Sequence, residues 1–138
     1  MVFAGNEYAK LVGIKIGVTP EIVWSSDEFL PEVSSPMAVN GLVYIATTYG
    51  VFACFDAKTG TKNWSQEFGG AFYASPVYAD GKVYIIDMTG KTYIVKATKD
   101  YQLIGTPELG EKAVCSPVFQ DGWVYLRGMN QLYCLGAK

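Results

Sequence analysis

Apolar residues fall in short runs rich in Val, Ile, Tyr and Phe, each broken within a few positions by a glycine-containing turn. Leu42–Thr47, Val51–Phe55 and Val83–Ile86 are such runs, and Asn40-Gly41, Tyr49-Gly50, Thr59-Gly60, Asp80-Gly81, Thr89-Gly90 and Asp121-Gly122 punctuate them. Runs of this composition bounded by Gly, Asn and Asp predict antiparallel β-strands. Asn-Gly or Asp-Gly between two apolar runs is the strongest local hairpin signal, because a type I′ turn needs positive φ at both central residues.

The pattern repeats. Ser75-Pro76-Val77-Tyr78-Ala79-Asp80-Gly81-Lys82-Val83-Tyr84 has one counterpart beginning at Ser35 and another at Ser116, 40 residues before and 41 after. In the copy from Ser35, residues 36–39 predict strand A, 42–47 strand B, 51–55 strand C and 61–65 strand D. The next copy follows in register, with strand C at 92–95 and strand D at 101–104. The third offers 117–119, 124–126 and 132–135, and no strand D. Near the start, Leu11–Ile16 aligns with Val51–Asp56 and Trp24 with Trp64, both at an offset of 40, which predicts strands C and D without A and B. Residues 1–8 have no place in this scheme.

Four short strands per repeat describe one blade of a β-propeller. The chain is therefore expected to be all-β: a partial propeller of about three and a half four-stranded antiparallel blades of roughly 40 residues. As a single segment over 1–138 it divides into a half blade (9–33), two blades (34–73 and 74–114) and an incomplete blade (115–138). Propellers close with roughly four to eight blades, so this length does not close a ring alone. The Glu21–Trp24 strand is expected to complete a blade carrying Pro117–Leu135, in the same or another chain. Two chains would then give about six blades, although Leu11–Ile16 and Leu132–Leu135 would compete for one strand-C slot.

Cys54-Phe55-Asp56-Ala57-Lys58-Thr59-Gly60-Thr61-Lys62-Asn63-Trp64 resembles the tryptophan-docking motif of PQQ-like, quinoprotein-type propellers, roughly AxDxxTGxxxW. The Ser-Pro and Asp-Gly-x-Val-Tyr segments are similar to the same repeat, and the likeness covers about residues 9–138. The full motif occurs once. The preceding repeat keeps Trp24 but has Ile16 and Pro20 at the Asp and Gly places, and the following one has Lys96, Asp100 and Ile104. The family includes PQQ-dependent alcohol dehydrogenases, in which quinone and Ca²⁺ lie in the central channel near a carboxylate base, and an outer-membrane assembly scaffold lipoprotein. The resemblance implies an extracytoplasmic protein, and the decayed motifs imply a non-catalytic bacterial member. Trp24 and Trp64 read as packing residues between blades, not ligand contacts.

Composition narrows the chemistry. The chain has 138 residues, 11 Lys+Arg against 13 Asp+Glu, a net charge of −2 and no histidine. Histidine is the commonest general base and metal ligand. No basic balance suggests nucleic acid. No apolar run is long enough for a spanning helix, and Met1–Ala4 lacks the pattern of a secretion signal. Cys54, Cys115 and Cys134 include no CxxC and no zinc-like spacing. Cys54 and Cys134 share a strand-C column with Ile14 and Ile94, and Cys115 stands at the Ala74 position, so all three read as small buried hydrophobes; the adjacent-cysteine disulfide of the quinoprotein alcohol dehydrogenases is absent. Asp56, Asp80 and Asp121 read as turn residues, and Asp27, Glu28 and Glu32 as solvated connector charges. Asp87 and Arg127, at strand-B ends that ring a channel mouth, are loop charges or ligand contacts. Tyr44, Tyr84 and Tyr125 form one column and Tyr93 and Tyr133 another, which argues packing between blades.

No catalytic residue and no metal ligand is assigned, cofactor-binding residues are left undetermined, and no cofactor is expected. The expected function is a non-catalytic binding or scaffold module. Its partner is another protein, the remainder of a longer propeller, or a second copy joined through open blade edges. The alternative is a fragment of a PQQ-dependent dehydrogenase that needs the full ring for activity.

Overall fold

The computed structural model describes residues 1–136 and is all-β, with no helix among them; accordingly none of the described residues forms a helix long and apolar enough to cross a membrane. Four antiparallel sheets follow one another along the chain. The first holds β1 (Val2–Ala4), β2 (Leu11–Lys15) and β3 (Glu21–Ser26). The second holds β4 (Met37–Val39), β5 (Leu42–Ala46), β6 (Val51–Asp56) and β7 (Lys62–Glu67). The third holds β8 (Val77–Ala79), β9 (Lys82–Ile86), β10 (Thr92–Lys96) and β11 (Leu103–Gly105), and the last β12 (Val118–Gln120), β13 (Trp123–Arg127) and β14 (Leu132–Gly136). This is a partial β-propeller, an open arc of blades.

The predicted hairpins form for the predicted reason. Asn40, Asp80 and Asp121 have φ of 52°, 47° and 50°, and the following Gly41, Gly81 and Gly122 have 74°, 72° and 80°. Both central residues of each turn are thus left-handed, as a type I′ turn requires.

Two expectations are corrected at the chain start. Val2–Ala4 pairs with β2, Phe3 opposite Gly13, and so fills the strand-B slot that was expected to be empty. The Glu21–Ser26 strand pairs with β2 as the outer strand of this same sheet and completes no blade around Pro117–Leu135. With a sheet of its own at each end, the chain has no contest for one strand-C slot.

The repeat register also shifts. In β2–β3 a bulge follows the pair Gly13–Trp24, and in β6–β7 a bulge follows the pair Cys54–Trp64. The structural counterpart of Cys54 is therefore Gly13, not Ile14. A slip of one residue exchanges the faces of a strand, so Ile14 leaves the cysteine column. Glycine is required at 13: a Cβ there would stand 2.3 Å from Nε1 of Trp24.

Alternate residues of the central strands face opposite neighbours. Val43, Ile45, Ala53 and Phe55 pack with Leu11 and Trp24 of the first sheet. Tyr44, Phe52, Cys54 and Trp64 pack with Val83, Ile85, Tyr93 and Val95 of the third. A second sheet buried on both faces explains why β5 is continuously apolar, and each fully buried large side chain in it contributes about 1.5–3 kcal/mol. The three repeated serines, each before the first strand of its repeat, form a ladder. The Ser35 N–H donates to Ser75 Oγ at 2.9 Å, and the Ser75 N–H donates to Ser116 Oγ at 2.8 Å.

Candidate functional site

Asp87 is neither a loop charge nor free for a ligand. It is 2% exposed at the end of β9. Its Oδ1 accepts from the backbone N–H groups of Thr89 and Lys91 and from the Thr89 hydroxyl, and its Oδ2 accepts from Tyr93 at 3.1 Å. The buried carboxylate thus holds the β9–β10 turn together. Burial, then the bond to Asp87, raises the Tyr93 phenol to about 12. Arg127 is exposed, and no ion pair joins it to Asp87 among the described residues.

The other B–C turns are braced by different residues. Thr47, at the Asp87 position, exchanges hydrogen bonds with the Val51 backbone. Glu32, expected to be a solvated charge, accepts from the Thr48 N–H at 2.8 Å. In the last sheet Glu111 accepts from the N–H groups of Asn130 and Gln131 and from the Asn130 amide. The Asn130 backbone bond holds the Glu111 carboxyl below its ordinary range. Asp56 likewise gathers the N–H groups of Lys58 and Thr59 and the Thr59 hydroxyl, the turn role expected of it.

Cys54 is buried, and burial raises its thiol to about 11, so it is a packing residue and a poor nucleophile. Cys115 and Cys134 are exposed, contrary to expectation. Both belong to the last repeat, and the Cys54 column is covered only where another sheet lies against it.

That difference extends over the whole outer face of the last sheet. Tyr125 is 36% exposed while its counterpart Tyr44 is fully buried, and Leu132 is 69% exposed while its counterpart Phe52 is fully buried. Trp123 and Val118 add to the exposed apolar surface of this end. At the opposite end of the arc, Val2 is 48% exposed and its counterpart Val43 is fully buried, with Ile22 exposed beside it. Each end therefore presents a face of the kind that is covered inside the arc. The Tyr44 column behaves accordingly: Tyr44 packs on Phe52, Tyr84 lies 4.6 Å from Phe119 of the next sheet, and Tyr125 faces outward.

The side chains of the described residues do not assemble a donor set for a calcium ion. No cluster of three or more metal-ligating side chains occurs among the described residues, and both oxygens of the best-placed carboxylate, Asp87, are engaged within its own turn. No motif signals the turn-bracing roles of Glu32 and Glu111, whose partners Thr48 and Asn130 lie 16 and 19 residues further along the chain.

A family model described as outer membrane protein assembly factor BamB matches residues 17–108. The chain is 37% identical over 70 residues to quinoprotein alcohol dehydrogenase PedE of Pseudomonas putida, covering 49% of this chain and 11% of that protein. It is 40% identical over 70 residues to lupanine 17-hydroxylase (cytochrome c) of a Pseudomonas species, covering 49% of this chain and 10% of that protein. The match thus spans about a tenth of these relatives' length. Among solved structures, BamB from Moraxella catarrhalis aligns with a TM-score of 0.77 at 18% identity, over 97% of this chain and 42% of that one. A europium-containing methanol dehydrogenase aligns with a TM-score of 0.62 at 14% identity, over 78% and 22%. The repeated hairpins, the four-sheet arc and the match over residues 17–108 together place this chain in the PQQ-like propeller family of the outer membrane protein assembly factor BamB.

Proposed function

We propose that the chain is a non-catalytic binding or scaffold module of an extracytoplasmic PQQ-like propeller. It engages another protein, the remainder of a longer propeller or a second copy of itself through the two end faces of the arc. The observation that carries this reading is the contrast between Tyr125 and Leu132, exposed on the last sheet, and Tyr44 and Phe52, fully buried at the same positions of the second. Several apolar side chains exposed together on one sheet face mark an interaction site. The engagement of Asp87 within its turn favours binding over catalysis.

A second reading, a segment of a quinoprotein dehydrogenase, is favoured by the 34–40% identity to such enzymes over about half the chain. Reconstitution with quinone and Ca²⁺, in the chain and in the longest natural polypeptide that carries it, separates the two. The scaffold reading expects no dye-linked oxidation of alcohols or sugars from either. Turnover by the longer polypeptide would overturn it in favour of the dehydrogenase.

A further inference from the structure

Two of the three sheet interfaces are filled by a tryptophan, and the third is not. Trp24 stands opposite Gly13 and Trp64 opposite Cys54, each just before a bulge. In the third sheet the same position, opposite Ile94 and before the same bulge, is Gly105. Ile104, which a fixed offset of 40 selects, is one residue away and is the unpaired residue of the bulge. A Cβ placed on Gly105 would meet no atom within 4 Å.

At Ile94, the pairing partner of Gly105, a cavity of about 160 Å³ lies between the third and fourth sheets, lined by Tyr84, Thr92 and Ile94 on one side and Val124, Leu126 and Leu135 on the other. Tyr84, Thr92 and Ile94 hold the strand positions of Tyr44, Phe52 and Cys54. Around Trp64, the Tyr44 and Phe52 rings lie 6.0 and 5.5 Å from the indole. Two substitutions therefore open the third interface: glycine where the indole would originate, and threonine where a phenyl ring would close the floor.

We propose that this cavity receives one tryptophan side chain carried by a protein partner. The occupant follows from the repeat, since the corresponding positions of the two preceding interfaces flank an indole of the chain itself. An indole buries on the order of 150–250 Å² and prefers tilted contacts with neighbouring rings, which Tyr84 offers. The inference rests on the binding-module reading in that a partner supplies the ring.

The test titrates N-acetyltryptophanamide into the isotope-labelled chain and follows backbone amide shifts. Saturable shifts are expected at Thr92, Ile94, Val124 and Leu126, with N-acetylleucinamide binding at least about tenfold more weakly, a difference of 1.4 kcal/mol. Gly105→Trp should abolish these shifts and raise Tm, and Leu135→Trp fills the cavity from its exposed rim should the first variant misfold. Unsaturable shifts in the unmodified chain, shifts elsewhere, or equal binding of the leucine compound would overturn the proposal. Such a failure leaves the end faces untouched, because their association is read separately by sedimentation.

Discussion

The Ser75 N–H donates to the Ser116 hydroxyl at 2.8 Å, and that hydroxyl donates to the Ser75 carbonyl at 3.0 Å. One side chain thus satisfies both backbone groups of the matching residue in the preceding repeat. Ser116→Ala leaves both unpaired, and we expect a loss of about 1–3 kcal/mol in urea unfolding. Ser35→Ala should cost less, since Ser35 is exposed and contributes its backbone N–H to the ladder. Equal effects would show that the ladder carries no stability.

Trp24 and Trp64 predict opposite responses to the same change. The Trp24 indole N–H donates to the Ala57 carbonyl at 3.0 Å, whereas the Trp64 indole N–H is buried without a partner. Trp24→Phe should therefore cost about 1 kcal/mol more than Trp64→Phe, because the first leaves a carbonyl unpaired and the second removes an orphaned donor. Denaturation midpoints at constant m-value decide the order.

Stability should fall in acid through identifiable carboxylates. Asn130 holds Glu111 below its ordinary 4.5, and Thr59 holds Asp56 below 3.8. A depressed folded pKa gives stability that is present above the unfolded value and lost as pH drops through the folded one. Tm should be flat near neutrality and decline below about pH 4.5, the ordinary carboxylate range. Glu111→Gln should make that decline shallower, and an unchanged slope would remove Glu111 from the account.

Thiol reactivity offers a further check. Cys115 and Cys134 are exposed and should react with a disulfide reagent in the folded chain, while Cys54, buried and with a raised pKa, should react only on unfolding. Rapid modification of all three would contradict the packing of the second sheet.

The turn residues made much of this fold legible. Asn40-Gly41, Asp80-Gly81 and Asp121-Gly122 encode left-handed backbone directly, so the hairpins and their period could be read from composition alone. Val2–Ala4 could not, because three residues carry too little alternation to signal a strand. The same bulge follows Gly13, Cys54 and Ile94, but the partner lies 11 residues on from Gly13 and Ile94 and 10 from Cys54, a difference that a fixed offset does not register and that misassigned Ile14 and Ile104. Asp87 looked like a surface charge because its partners include Tyr93, six residues on, and backbone groups whose direction only the folded turn defines. The exposure of Cys134 depends on which sheets have neighbours, a property of the arc and not of the strand.

Sedimentation equilibrium of the chain, from low to high micromolar concentration, tests the end faces most directly. The account predicts concentration-dependent association that Tyr125→Arg on the last sheet and Val2→Arg on the first each weaken, since both place a charge where the matching interior residue is fully buried. A single monomeric species at every concentration, or association indifferent to both substitutions, would contradict it.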